Sequence, residues 1–318
     1  MRGIVWGPAG EVGPLFLVMW FKKKLDQVLS VLLVLPSALA ILVFVYGFIA
    51  LTTYVSFSNW NRLVPDYSFV GAANYLRLFQ NPRFVITLRN LGVFTGLFVG
   101  GSLVLGFLLA VLLDRRIKAE GLFRTIYLYP LALSFIVTGV VWRWLLNPGS
   151  PQMGSTGINL LLEMMGLGFL KTGWYTDPRI GIIAVAVAAI WQMSGYVMAM
   201  YLAGLRGIPE DLREAARVDG ASELQIYRYV VLPLLRPITF GALIVLGHIS
   251  LKIYDLVVAM TGPGPGYSCD VPAYFMWELT FRANRFAQGA GIAIILLVIV
   301  SILIVPYLRY SLRREVET

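Results

Sequence analysis

Charged residues are absent from this chain in long blocks. No Asp, Glu, Lys or Arg occurs from Gln27 to Asn61, Asn90 to Leu113, Thr125 to Trp142, Ile180 to Leu205, or Phe286 to Leu308. A helix needs roughly 20 apolar residues to cross about 30 Å of hydrocarbon while satisfying its own backbone groups. A sixth apolar block, Pro237–Met260, carries His248, Lys252 and Asp255. The pattern predicts an all-α membrane protein with six transmembrane helices, at about 28–54, 90–113, 123–146, 180–205, 235–260 and 286–308. The first block is longer than a bilayer requires, so Ser56–Trp60 is expected to emerge into water. The basic cluster Lys22–Lys24 precedes a run too long for a signal peptide and is followed by no small-x-small cleavage site. Residues 1–24 are therefore read as a cytoplasmic N-terminal segment, with Met19 an alternative first residue, and 25–318 as the transmembrane domain.

Composition agrees: 58% hydrophobic against 14% charged residues, at a mean hydropathy of +0.76, excludes a water-soluble globule. The net charge of +9 would suggest nucleic acid in a soluble protein, but here it records topology. Sixteen basic residues fall in one set of connections and eight in the other. Both termini are expected in the cytoplasm, and no nucleic-acid partner is needed to explain the charge. One cysteine, Cys269, and one histidine, His248, exclude an internal disulfide and a Cys/His metal cluster.

The connection Arg206–Pro233 is densely charged and strongly punctuated. Pro209 is expected at a first helical position, followed by Glu210 and Asp211 at the positive end of the helix dipole. That helix should run to about Asp219. Gly220 then stands where a left-handed residue is needed, and Ser222-x-x-Gln225 reads as a capping box opening a second helix that ends near Pro233. Capping alone fits any stable cytoplasmic connection.

The residues in this loop narrow the choice. Glu214-Ala215-Ala216, three residues, Gly220, nine residues, then Val230-Val231-Leu232-Pro233 resembles the EAA signature of binding-protein-dependent ABC importer permeases, with only Val230 departing from it. Leu35-Pro36, Ser56-Phe57, Phe69-Val70-Gly71, Asn74-Tyr75, Leu78-Phe79 and Phe123-Arg124 with Pro130 look like the subunit related to the larger maltose permease. Trp191–Tyr196, His248–Asp255 and Met260–Tyr267 resemble the glucose/mannose uptake subgroup. The resemblance implies a type-1 permease domain, with a coupling-helix loop between spans four and five at 206–233. It also implies half of a heterodimeric pore in a prokaryotic inner membrane, a second permease subunit, an ATP-binding cassette dimer and an extracytoplasmic sugar-binding protein. Glu214, Ala215, Ala216, Asp219, Gly220, Leu232 and Pro233 would carry coupling to the ATPase. ATP and Mg would sit on that partner, with no cofactor in this chain. The chain agrees in having no Gly followed by Lys, and so no P-loop. Glucose or mannose is the expected cargo; maltose or trehalose is the alternative.

Within the spans, Lys252 and Asp255 are three apart on an expected helix and so share a face. They either pair to hold that helix or line a substrate path, since ionisable groups in a span usually face a cavity or a partner. Sugar sites combine aromatic rings with amide, hydroxyl and charged groups. Trp191, Gln192 and Tyr196 in span four, with His248, Ser250, Lys252, Tyr254 and Asp255 in span five, are the candidate pathway; packing is the other reading for each aromatic. A self-contained channel or secondary transporter would show inverted repeats or broken half-helices, and the sequence displays neither. An intramembrane hydrolase lacks a nucleophile and base. Gly262–Gly266 is expected as an irregular external turn.

Overall fold

The computed structural model describes residues 14–115, 118–150, 152 and 154–316; of the expected N-terminal segment, 1–13 lie outside them and the backbone of 14–24 is helical. The chain divides into two compact units, 1–54 and 55–318. The described part of the first is helical: α1 runs Pro14–Ile41, passes a π-helical turn at Leu42–Gly47 and continues as Phe48–Ser56. Its described side chains through Phe48 are exposed and apolar on every side over most of its length, as a helix immersed in hydrocarbon should be.

The second unit holds α2 (Ala73–Gln80), α3 (Pro82–Asp114), α4 (Glu120–Leu128), α5 (Phe135–Leu145), α6 (Gly157–Met164), α7 (Gly181–Arg206), α8 (Glu210–Val218), α9 (Glu223–Ile226), α10 (Arg236–Leu251), α11 (Asp255–Met260), α12 (Pro272–Trp277) and α13 (Phe286–Val316). Helices α3 and α7 form its centre. Phe94 and Phe98 of α3 are fully buried and stacked at 5.4 Å, and Phe107 meets the edge of Tyr201 at 5.5 Å. Helix α7 supplies the buried stripe Ala184, Ala186, Ala188 and Ala189. Small side chains let backbones approach closely where water cannot drive association.

Among the described residues, three stretches are unbroken, long and apolar enough to cross a membrane: Leu29–Ser56, Pro82–Asp114 and Gly181–Arg206. The expected third span is instead two helices. Residues Glu120–Ala132 and Phe135–Leu145 meet at 102°. Pro130 lacks an amide hydrogen and lies in a 3-10 turn, Tyr129–Ala132, and Ser134 then caps α5 by accepting from the Val137 amide at 3.3 Å. The expected fifth span is also interrupted. Helix α10 ends at Leu251, Lys252 is its C-cap, and α11 opens at Asp255. A cation closing one helix and an anion opening the next are each favoured by the helix dipole, so these charges mark helix ends. Unbroken helices were the wrong expectation at both places.

Residues 56–60, expected to emerge into water, are partly packed against the protein. Ser56 and Ser58 are buried, Asn74 donates to both their carbonyls at 3.0 and 2.7 Å, and Trp60 packs on Phe286 at 4.7 Å. The long connection Asn147–Asp177 folds around Asn159, which bonds the backbone of Thr172 and the Trp174 indole. The Gly262–Gly266 segment is irregular as expected, with Gly262, Gly264, Gly266 and the adjoining Tyr267 all at positive φ. Cys269 beside it is buried, and burial pushes its thiol pKa upward.

Candidate functional site

The connection between α7 and α10 is built largely as its spacing suggests. Helix α8 begins at Glu210, one residue later than expected, with Pro209 as its N-cap at ψ 133°. Its end is a complete Schellman motif. Asp219 is the C-cap, Gly220 takes φ +81°, the Gly220 amide donates to Arg217 and the Ala221 amide to Ala216, both at 3.0 Å. The Ser222 amide donates to Gln225 Oε1 at 2.7 Å, which opens α9. Arg217 reaches Glu210 at 3.3 Å and Glu223 at 3.0 Å and so ties both helices across the turn. Beyond α9 the chain widens into a π-helical stretch, Tyr227–Val231, before Leu232–Leu234, and bends by 64° into α10. Pro233 cannot donate to the carbonyl four residues back, which accounts for the widening.

Glu214, Ala215, Asp219, Gly220 and Leu232 are exposed, while Ala216 and Pro233 are half-buried. Val218 and Leu224, on either side of the Gly220 turn, are 87% and 79% exposed.

The candidate pathway residues do not gather. Trp191 meets Trp142 edge-on at 5.9 Å. Gln192 is buried and donates through Nε2 to the Leu133 carbonyl at 2.7 Å, the group freed where the third span breaks. The adjacent Gly195 leaves room for the Tyr127 carbonyl, which a side chain there would strike. Half-buried Tyr196 packs on the main core. On the other side, Ser250 accepts from Thr95 at 3.1 Å and donates to the Gly247 carbonyl. His248 borders a largely apolar cavity of about 270 Å³ with Thr95, Gly96, Gly100 and Val300. Lys252 and Asp255 are both exposed and, among the described residues, form no ion pair with each other. The helix break between them removes the shared face.

Tyr254 does find a group that the sequence did not reveal. It lies 6.3 Å from Tyr274 and 5.9 Å from Trp277, with the Arg282 guanidinium 4.8 Å above Trp277. Tyr274 and Trp277 lie on α12, twenty or more residues away, so no local spacing could have joined them to Tyr254. Arg83 is a second unheralded centre. It donates through Nε to Asp270 at 2.6 Å and through both terminal nitrogens to Glu278 at 3.1 and 2.7 Å, while lying over Tyr267 and Phe275. Burial outweighs the Arg83 contact and pushes the Asp270 carboxyl up to about 6, whereas Arg83 hydrogen bonds hold Glu278 below its usual range.

The profile of the family described as "Binding-protein-dependent transport system inner membrane component" matches residues 102–318. A probable ABC transporter permease of Pyrococcus horikoshii is 44% identical over 92% of this chain and 99% of its own. The xylose/arabinose import permease of Haloferax volcanii is 38% identical over 85% of this chain and 84% of its own. The trehalose/maltose transport permease of Thermococcus litoralis is 29% identical over 90% and 95%. A chain from the crystal structure of a bacterial ABC transporter for the acidic polysaccharide alginate superposes with a TM-score of 0.75 at 22% identity, over 93% of this chain and 98% of that one. At that identity the likeness is one of fold.

Proposed function

This chain belongs to the family of binding-protein-dependent transport system inner membrane components, and on that footing we propose that it is the permease subunit of an ATP-driven sugar importer, forming half of a heterodimeric pore. The observation that carries the reading is the α8–Gly220–α9 unit, a rigidly capped pair of helices presenting Val218, Leu224 and the exposed Glu214. Such a unit can seat in a groove on an ATPase, which would bind the ATP and Mg. Closure of the ATPase dimer would push the loop and turn the pore between inward- and outward-facing states. In this reading six spans place both termini in the cytoplasm, and a sugar-loaded binding protein docks on the opposite face.

Broken helices at two spans mean that helix continuity no longer argues against a self-contained transporter. Family membership carries that distinction instead. The sequence strings favour glucose or mannose as cargo. The Thermococcus litoralis relative favours maltose or trehalose as the second reading.

The test is to purify the chain from its native membrane and reconstitute it with what accompanies it. A bound ATPase and second permease are expected, with hydrolysis stimulated by the binding protein loaded with one of glucose, mannose, maltose or trehalose. A chain that purifies alone and transports sugar without ATP would overturn the assignment.

A further inference from the structure

Helix α8 has no buried residue. Its apolar hold on the spans is slight: Ala216, half-buried, packs on the main core. The one charged side chain on α8 that turns inward is Arg213, 13% exposed. Its Nη1 donates to Asp114 Oδ2 at 3.1 Å and its Nη2 to the Leu205 carbonyl at 3.2 Å. Asp114 is the last residue of α3, and Leu205 lies in the last turn of α7. A single guanidinium therefore joins α8 to the ends of both central helices. Beside it Arg206 pairs with Glu120 at 2.7 Å, which ties the end of α7 to the start of α4.

These groups border a polar cavity of about 730 Å³ lined also by Ile208, Pro209 and Glu210. Open space thus lies between the start of α8 and the helix ends. Arg213 Nε is buried without a hydrogen-bond partner among the described residues. An ion pair with an unsatisfied buried donor is a poor way to gain stability. It is, however, a directional link. The planar fork reaches a carboxylate and a carbonyl at fixed angles, which a lysine ammonium on a flexible stem does not reproduce.

We propose that Arg213 is a positioning residue that transmits force from the coupling loop to the ends of α3 and α7, through Asp114 and the Leu205 carbonyl. The inference rests on the reading that α8 meets an ATPase. Arg213 itself faces the spans and need not touch that partner.

The experiment uses the whole importer in liposomes, with the sugar among glucose, mannose, maltose and trehalose that stimulates the wild type. Arg213→Gln and the near-isosteric Asp114→Asn are compared with the charge exchange Arg213→Asp/Asp114→Arg. Both single variants are expected to assemble and to hydrolyse ATP, with the ATP consumed per sugar imported rising about tenfold. The exchange is expected to recover part of that loss, which a merely structural defect would not do. Single variants that assemble and keep the wild-type ratio overturn the inference. So does loss of assembly in all three, since Arg213 would then hold the fold and transmit nothing. A wild-type chain that captures no ATPase sinks the functional reading itself, and that result is visible before any variant is made.

Discussion

Gly220 shows how much one backbone angle can decide. At φ +81° nothing lies within 4 Å of the position a Cβ would take, so the demand is conformational and not steric. A β-branched side chain there strains the turn by about 1–2 kcal/mol, and Asn tolerates it better. We expect Gly220→Val to lower sugar uptake by the reconstituted complex while the protein still inserts, with Gly220→Asn closer to wild type. Equal uptake in both would mean that the Schellman geometry is not what the partner reads. This residue was legible from the sequence because the motif is local: every bond it makes lies within six residues. Arg213 was not, because its partner Asp114 is 99 residues away.

At the scale of elements, the informative places are the interruptions. Pro130 gave a local reason for the third span to break, yet an apolar run with a single proline also reads as a kinked rod. The break is sustained by Gln192, whose amide takes the freed Leu133 carbonyl. Gln192→Leu should therefore leave a buried carbonyl unpaired and cost about 1–3 kcal/mol. The expected result is a lower unfolding midpoint in detergent with unchanged sugar preference. An altered preference at unchanged stability would return Gln192 to the substrate path. The fifth span breaks without proline or glycine at the junction. Lys252 and Asp255 suggested an ion pair from spacing alone, because i to i+3 geometry presumes the continuous helix that the fold does not keep.

Over the whole molecule, long-range polar clasps join segments that the membrane pattern treats as independent. Arg83 gathers Asp270 and Glu278 from 187 and 195 residues away. Arg83→Met would leave Asp270, fully buried, without its cation, at about 3–5 kcal/mol. We expect a marked loss of stability in chemical denaturation, largely recovered in Arg83→Met/Asp270→Asn, where the stranded charge is also removed. Additive losses would show that the pair is not coupled. The sequence by itself determined the helical class, four of the long helices (α1, α3, α7 and α13), the capped loop with its glycine turn, and the family likeness. Each depends on hydrophobicity and hydrogen bonds between near neighbours. Only the tertiary structure decided where spans break, that the candidate pathway residues serve separate partners, and which charges clasp the two ends of the helices. Those outcomes depend on carbonyls and carboxylates meeting side chains from distant segments, and a buried polar group takes whichever partner the packing brings within about 3 Å.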